Sequence, residues 1–282
     1  RPPRSTLFPY TTLFRSGLMR LRTLPLSTRL IREIHEQLLE GVRGEWMTPG
    51  EFRRSQNWIG RPGATLETAR YVPPPVPEMK SALVDLENFI HRGSELPDLV
   101  RIGLVHYQFE AIHPFLDGNG RVGRLLISLL LVAWGKLSLP LLNLSDYFEA
   151  HRQAYYDNLL DVTQKGAWEK WLTFFLQGVA AQAEDTTRRI RQLLNLSNQY
   201  HQLFADDRNR RKLAELVDYL IGTPITSIQQ AEQSLKMGSY TTIQRQIEKL
   251  AALGIVREIT GQQRNRLYQA DGILRILLEN EE

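Results

Sequence analysis

Between His113 and Arg124 the chain reads His-Pro-Phe-Leu-Asp-Gly-Asn-Gly-Arg-Val-Gly-Arg. An imidazole that titrates near neutral pH, a carboxylate, an asparagine, glycines and two arginines thus fall within one short stretch. Apolar residues at helical spacing run from Leu99 to Ile112 before it and from Val122 to Trp134 after it. The stretch therefore reads as a polar loop between two buried helices, with the second helix starting inside the loop. Backbone N–H groups at a helix start, flexible glycines and arginines make a site for a polyphosphate. A base and a metal-binding carboxylate beside such a site imply chemistry as well as binding. Gly118-Asn119-Gly120-Arg121-Val122-Gly123 also satisfies G-x-G-x-x-G, but the dinucleotide reading needs a preceding strand in a βαβ unit, and the preceding segment is helical. A P-loop is excluded because no Gly-Lys-Ser/Thr follows.

The frame is an ordinary one. The chain has 282 residues, 42% hydrophobic and 23% charged, enough for a main domain and a smaller one. A net charge of +4 is too small to argue for nucleic acid by itself. With no cysteine, disulfides and thiolate metal sites are excluded, which fits a reducing cytoplasm. No apolar run reaches the roughly 18 residues that span a bilayer, so a membrane is not an expected partner.

The motif resembles the signature of the Fic family, His-Pro-Phe-x-(Asp/Glu)-Gly-Asn-Gly-Arg-x-x-Arg, with every specified position present from His113 to Arg124. In the style of its elements the resemblance extends from about Leu24 to Phe204. It implies a mainly α fold, a Fic-type helical bundle with a small β-hairpin flap, and transfer of AMP from ATP to a Ser, Thr or Tyr hydroxyl of a target protein, the enzyme itself included. His113 would be the general base. Asp117 would hold Mg²⁺ across the phosphates, a hard cation on a hard oxygen. Gly118, Asn119 and Gly120 would turn backbone N–H groups toward the α/β-phosphates, and Arg121 and Arg124 would face the β/γ-phosphates. Family members that resemble kinases carry lysine at the position of Gly120, so glycine there favours AMP transfer over phosphate transfer. Tyr155 and Tyr156 resemble adenine-side contacts, although tyrosines at helical spacing also serve as core. Thr68-Ala69-Arg70-Tyr71 resembles the flap that positions the target segment. His106 and Glu110, on the helix before the motif, read as structural.

The remaining elements follow in order. Thr6 to Ser16 back-translates, codon for codon, to one frame of a short-read sequencing adapter, so residues 1–16 are expected to be an assembly artefact, with genuine sequence from about Gly17. Ser27 caps a predicted helix from Thr28 to Leu39 that Gly41 ends. Asn57–Ile59 and Arg70–Val72 are expected to pair as a hairpin, whose edge could bind an extended peptide; a plain surface connection is the alternative. Helices follow at Glu78–His91, from Pro97 to Ile112, at Asp146–Leu160 with Ser145 as cap, and from Ala167, loosely interrupted, to Phe204. Many Fic proteins are restrained by a helix bearing Ser/Thr-x-x-x-Glu-Gly/Asn, whose glutamate pairs with the second motif arginine, here Arg124. Glu36-Gln37-Leu38-Leu39-Glu40-Gly41 lacks the leading Ser/Thr, and the expected place for that helix lies upstream of Leu24, where the adapter sequence stands.

Asp206 to Arg211 marks a composition shift, giving expected domains of 17–204 and 205–282. Helices at Lys212–Ile221, Ser227–Leu235 and Ser239–Leu253, then strand-like pieces at Gly254–Ile259 and Arg266–Gln269 around a Gly261-Gln262-Gln263 turn, follow the order of a winged helix-turn-helix. Ser239 to Gln246 would be the recognition helix. Arg208, Arg210, Arg211, Lys249, Arg257, Arg264 and Arg266 could meet phosphates. DNA, another protein and a second copy of this chain are all open as partners. An alternative overall reading is a DNA-binding regulator whose Fic domain senses nucleotide without transferring it.

Overall fold

A computed structural model of the chain describes residues 20–21, 24–40, 47–139, 141–262 and 264–278. The adapter-like stretch, residues 1–16, and Gly41, the expected helix stop, lie outside the described residues, as does Gln263 of the C-terminal turn. The chain divides into two compact units, 1–183 and 184–282, with the division inside a long helix, N-terminal of the Asp206–Arg211 composition shift.

The first unit is helical. Helix α1 (Thr28–Leu39) starts where Ser27 Oγ accepts the Leu30 N–H at 3.3 Å. Helix α2 (Val76–His91) begins two residues before the expected start, because Pro77 suits a first helical turn, where no intrahelical N–H is required. Helices α3 (Asp98–Ile112) and α4 (Asn119–Ala133) flank the motif. The helix expected at Asp146–Leu160 is broken at His151 into α5 (Leu144–Ala150) and α6 (Arg152–Lys165), and the cap on α5 is Asn143, not Ser145. Helix α7 (Trp168–Leu203) is continuous over 36 residues. Leu30, Ile34, Met79, Leu83, Ile102, Phe109, Leu126, Leu130 and Trp171 belong to a single core. The α3–α7 contact is close enough that a methyl group on Gly103 would lie 3.0 Å from Phe175, and Trp171 Nε1 donates to the Gly103 carbonyl at 3.0 Å.

The expected hairpin is reduced to one antiparallel bridge, Ile59 with Tyr71. Gly60 turns so tightly that a methyl there would lie 2.6 Å from Ala64 Cβ, and Pro73, Pro74 and Pro75 cannot donate to a continuing ladder.

In the second unit, α8 (Arg210–Gly222), α9 (Ile228–Leu235) and α10 (Tyr240–Ala252) match the three expected helices to within two residues. The strands are shorter than expected, β2 (Arg257–Glu258) and β3 (Leu267–Gln269). Two elements were not foreseen, β1 (Ile225–Ser227) and a final helix α11 (Asp271–Leu278). The sheet is antiparallel in the order β1-β3-β2, with Ile225 opposite Gln269 and Arg257 opposite Gln269 on the other side. Ser227 and Gln230 form a reciprocal capping box at the start of α9. Leu213, Leu216, Val217, Ile243, Ile247 and Tyr268 form a separate core, against which Leu193, Leu196 and Tyr200 of α7 also pack. That packing explains why the second unit begins before the composition shift.

Candidate functional site

His113 ends α3 in the left-handed region, at φ 49°, where a side chain is costly. Its backbone is held there from elsewhere in the sequence. The His113 carbonyl accepts from Arg53 Nε at 3.1 Å and Asn57 Nδ2 at 3.3 Å, and the Arg53 N–H donates to the Pro114 carbonyl at 2.8 Å. Arg53 also donates to the carbonyls of Ser55 and Pro74 and is only 1% exposed. Asn57 Nδ2 reaches the Phe115 carbonyl at 3.0 Å as well.

The loop floor is equally fixed. Phe115 is buried and stacks on His35, ring centroids 3.7 Å apart and 6° from parallel. The Gly50 N–H donates to His35 Nδ1 at 2.9 Å, so the proton sits on Nε2, which donates to the Asp117 carbonyl at 3.0 Å. Burial lowers the His35 pKa and keeps the ring neutral. The Asn119 side chain brackets one residue: Oδ1 accepts the Phe115 N–H at 2.8 Å and Nδ2 donates to the Phe115 carbonyl at 2.8 Å. Asn119 was expected to serve through its backbone N–H. Its side chain has a different task, locking the loop.

Gly118, at φ 82°, caps α4 without any side-chain hydrogen bond, leaving the first-turn N–H groups of Asn119, Gly120 and Arg121 without intrahelical partners. The Gly118 N–H donates to Asp117 Oδ1 at 2.6 Å. Asp117 Oδ2 lies 3.6 Å from Arg121 and carries no hydrogen bond among the described residues, so a half-exposed hard oxygen remains for a ligand. Among the described residues no three His, Cys, Asp or Glu side chains converge as a metal cage. One carboxylate is nevertheless what Mg²⁺ needs when phosphates and water supply the rest of its shell.

The His113 ring is set up as a base. Nδ1 donates to the Glu110 carbonyl at 3.3 Å, which leaves the Nε2 lone pair available. Desolvation by burial lowers its pKa to about 4, so the ring is neutral at physiological pH. Arg124 Nε is buried without a hydrogen-bond partner, and no acidic residue among those described pairs with this arginine within 4.0 Å. Glu36 of α1 and Glu40, which follows that helix, form no ion pair with it.

The two tyrosines separate. Tyr155 goes to the core, stacked on Phe148, with its hydroxyl donating to His106 Nε2 at 2.9 Å. His106 Nδ1 then donates to the Gly123 carbonyl at 3.1 Å, so Tyr155 and His106 together buttress the motif helix from behind. Tyr156 is 40% exposed, with the Arg152 guanidinium over its ring. Of the pair, Tyr156 presents a face that a base could stack on.

In the flap segment, Tyr71 Oη donates to the Ala111 carbonyl at 2.7 Å, and burial pushes its pKa to about 12. Arg70 pairs with Asp157 on α6. Thr68 Oγ1 accepts the Thr65 N–H at 2.9 Å, and Ala69 lies between them and the bridge without a side-chain role. Trp58 is exposed beside the bridge, its Nε1 bonded to the Ala64 carbonyl at 2.8 Å.

In the second unit Tyr240, Thr241 and Arg245 of α10 are exposed, whereas Gln246 is 4% exposed and faces the core, so it is not available to a partner. Lys249, Arg257 and Arg211 are held in ion pairs with Asp207, Asp271 and Glu215.

Sequence reasoning missed His35, Arg53 and Asn57. Their partners are backbone carbonyls and N–H groups, which leave no trace in residue identity.

Residues 25–131 match the model of the Fic/DOC family. A "Probable protein adenylyltransferase" of Aquifex aeolicus is 33% identical over 130 residues, covering 46% of this chain and 37% of that protein. The "Protein adenylyltransferase Fic" of Drosophila virilis is 27% identical over 189 residues, covering 65% and 36%. The chain thus spans little more than a third of the length of these curated relatives. Among solved structures, a Fic family protein from Desulfovibrio desulfuricans shares the fold at a TM-score of 0.54 and 18% identity, covering 92% of this chain and 72% of that one. Fic-1 of C. elegans does so at 0.50 and 20%, covering 68% and 54%.

Proposed function

We propose that this Fic/DOC domain is a protein adenylyltransferase that moves AMP from ATP to a Ser, Thr or Tyr hydroxyl of a target protein, its own chain included. The observation that carries the reading is the pairing of a neutral, pre-oriented imidazole at His113 with an uncapped helix start at Gly118–Arg121. The hydroxyl oxygen attacks the α-phosphorus of ATP, the bond to the β-phosphate oxygen breaks, and pyrophosphate leaves. The hydroxyl proton goes to His113 Nε2. The free N–H groups of α4 face phosphate oxygens on which charge grows, in a site that needs no reorganisation. Arg121 and Arg124 bind the β/γ-phosphates of the leaving group. Asp117 would hold Mg²⁺, which neutralises phosphate charge. Tyr156 offers a face to adenine, and Arg70, Tyr71 and the bridge with Ile59 offer an edge along which a target segment can lie. No described helix is long and apolar enough to cross a membrane; we place the reaction in the cytoplasm.

ATP labelled at the α-phosphate tests the reading. Covalent label on protein is expected, falling roughly 10²–10⁴-fold in His113→Ala, the range for a lost general base. Label arriving only from the γ-phosphate would overturn it in favour of a kinase.

For the second unit we propose a winged-helix module that binds DNA or a protein through α10. The helix–strand–helix–helix–strand–strand order supports it, as do the exposed Tyr240, Thr241 and Arg245. Three of its seven candidate phosphate contacts are neutralised by ion pairs, which favours a protein partner.

A further inference from the structure

Where α3 packs against α4, two buried polar atoms lack hydrogen bonds: Glu110 Oε1 on α3 and Arg124 Nε on α4. They are brought together by two glycines one turn apart on α4. A methyl group at Gly123 would collide with Glu110 Oε1, and one at Gly120 would lie 3.1 Å from Arg124 Nη1 and 3.9 Å from Glu110 Oε1. The carboxylate and the guanidinium therefore meet beneath Gly120, outside direct ion-pair distance but within each other's electrostatic reach. A buried carboxyl kept without a hydrogen bond is expensive, and in a merely structural place an apolar side chain would do better.

We propose that Glu110 is the positioning residue for Arg124: its carboxylate draws the guanidinium to the Gly120 side of α4, where it can receive the outer phosphates of ATP. The inference rests on the proposed role of Arg124 toward those phosphates. It revises the reading of Glu110 as structural and gives the glycine at 120 a second task, that of leaving room for the pair. Burial raises the Glu110 carboxyl to about 7, against the pull of Arg124, so its charge grows across neutral pH. The other ionisable groups near this pair are Tyr155 of α6 and His106, four residues earlier on α3. Burial holds His106 neutral, lowering its pKa to about 3, and keeps the Tyr155 hydroxyl protonated by raising its pKa well above the ordinary value.

The test compares ATP with AMP, which lacks the phosphates that Arg124 would meet. Affinities for both are measured by calorimetry on the full chain, for the wild type, Glu110→Gln, Arg124→Ala and the double variant. Glu110→Gln is expected to weaken ATP about tenfold, the loss of one charge-assisted contact, and AMP less than about twofold. In the Arg124→Ala background the same change is expected to cost nothing further toward ATP, because the residue acts through the arginine. Equal losses for ATP and AMP, or additive losses in the double variant, would overturn the proposal in favour of a packing role. Should Glu110→Gln not fold, Glu110→Asp, which keeps the charge on a shorter arm, enters the same cycle with the same expected coupling. A wild type that transfers α-label but shows no coupling sinks this inference alone. A wild type that binds neither nucleotide sinks the proposed function with it.

Discussion

The motif loop and the flap segment are built in opposite ways. From His113 to Asn119 the carbonyls of His113, Phe115 and Asp117 and the Phe115 N–H are each taken by a side chain, from His35, Arg53, Asn57 or Asn119. From Trp58 to Tyr71 the bonds are mostly local to the segment, and a tyrosine hydroxyl and a partly exposed ion pair tie it to α3 and α6. A site that stabilises charge in a transition state gains from donors that are already in place. A segment that receives a variable peptide gains from an edge that can adjust. On the proposed function, the difference teaches where rigidity is required: around the phosphates and not around the target.

The comparison can be broken first at Arg53. Arg53→Leu removes donors from the carbonyls of His113, Ser55 and Pro74 at once, and a loss of about 3 kcal/mol in urea unfolding is expected. A loss below 1 kcal/mol would mean that the motif loop holds itself, about as loosely as the flap. Next comes pH. Burial lowers His106 to about 3 in the folded chain against 6.5 in the unfolded one. As pH falls below 6.5 the unfolded state takes up a proton that the folded state refuses, so the contribution is whole above 6.5 and is lost progressively toward 3. Thermal or urea melts are expected to lose roughly 1.4 kcal/mol per pH unit from this ring across that window. A flat profile would remove the neutral His106 from behind α4. Smallest is Tyr71→Phe in the flap, which gives up one hydrogen bond to Ala111 and is expected to cost about 1 kcal/mol. A cost above 3 kcal/mol would show the flap to be as fixed as the motif.

The helices could be read because their signals are local. Ser27 and Pro97 mark starts, apolar residues recur at helical spacing, and Gly118 supplies the positive φ that opens α4. The motif could be read because its chemistry is packed into twelve residues. What failed depended on distant partners. His35 lies far from Asp117 in sequence and meets only its backbone, and for Tyr155, readable as adenine contact or as core, nothing local pointed to the His106 ring that its hydroxyl meets. The break at His151 and the three-residue strand β1 fall below the length at which periodicity is visible. Glu110 looked structural because nothing local shows that its carboxylate would be left unbonded beside an arginine a helix away.

Asn119 has one more consequence. Asn-Gly is the dipeptide most given to spontaneous deamidation, in which the following backbone nitrogen attacks the side-chain amide and leaves aspartate or isoaspartate behind. Here the amide is buried, its two ends are bonded to the N–H and the carbonyl of Phe115, and the Gly120 nitrogen is fixed in a helical turn that keeps it from the attack. Folding therefore acts as a preservative for this residue. Each excursion to the unfolded state starts a chemical clock, and a chain that has aged at Asn119 loses one of the two donors to the Phe115 carbonyl and gains a charge where the loop has no place for one.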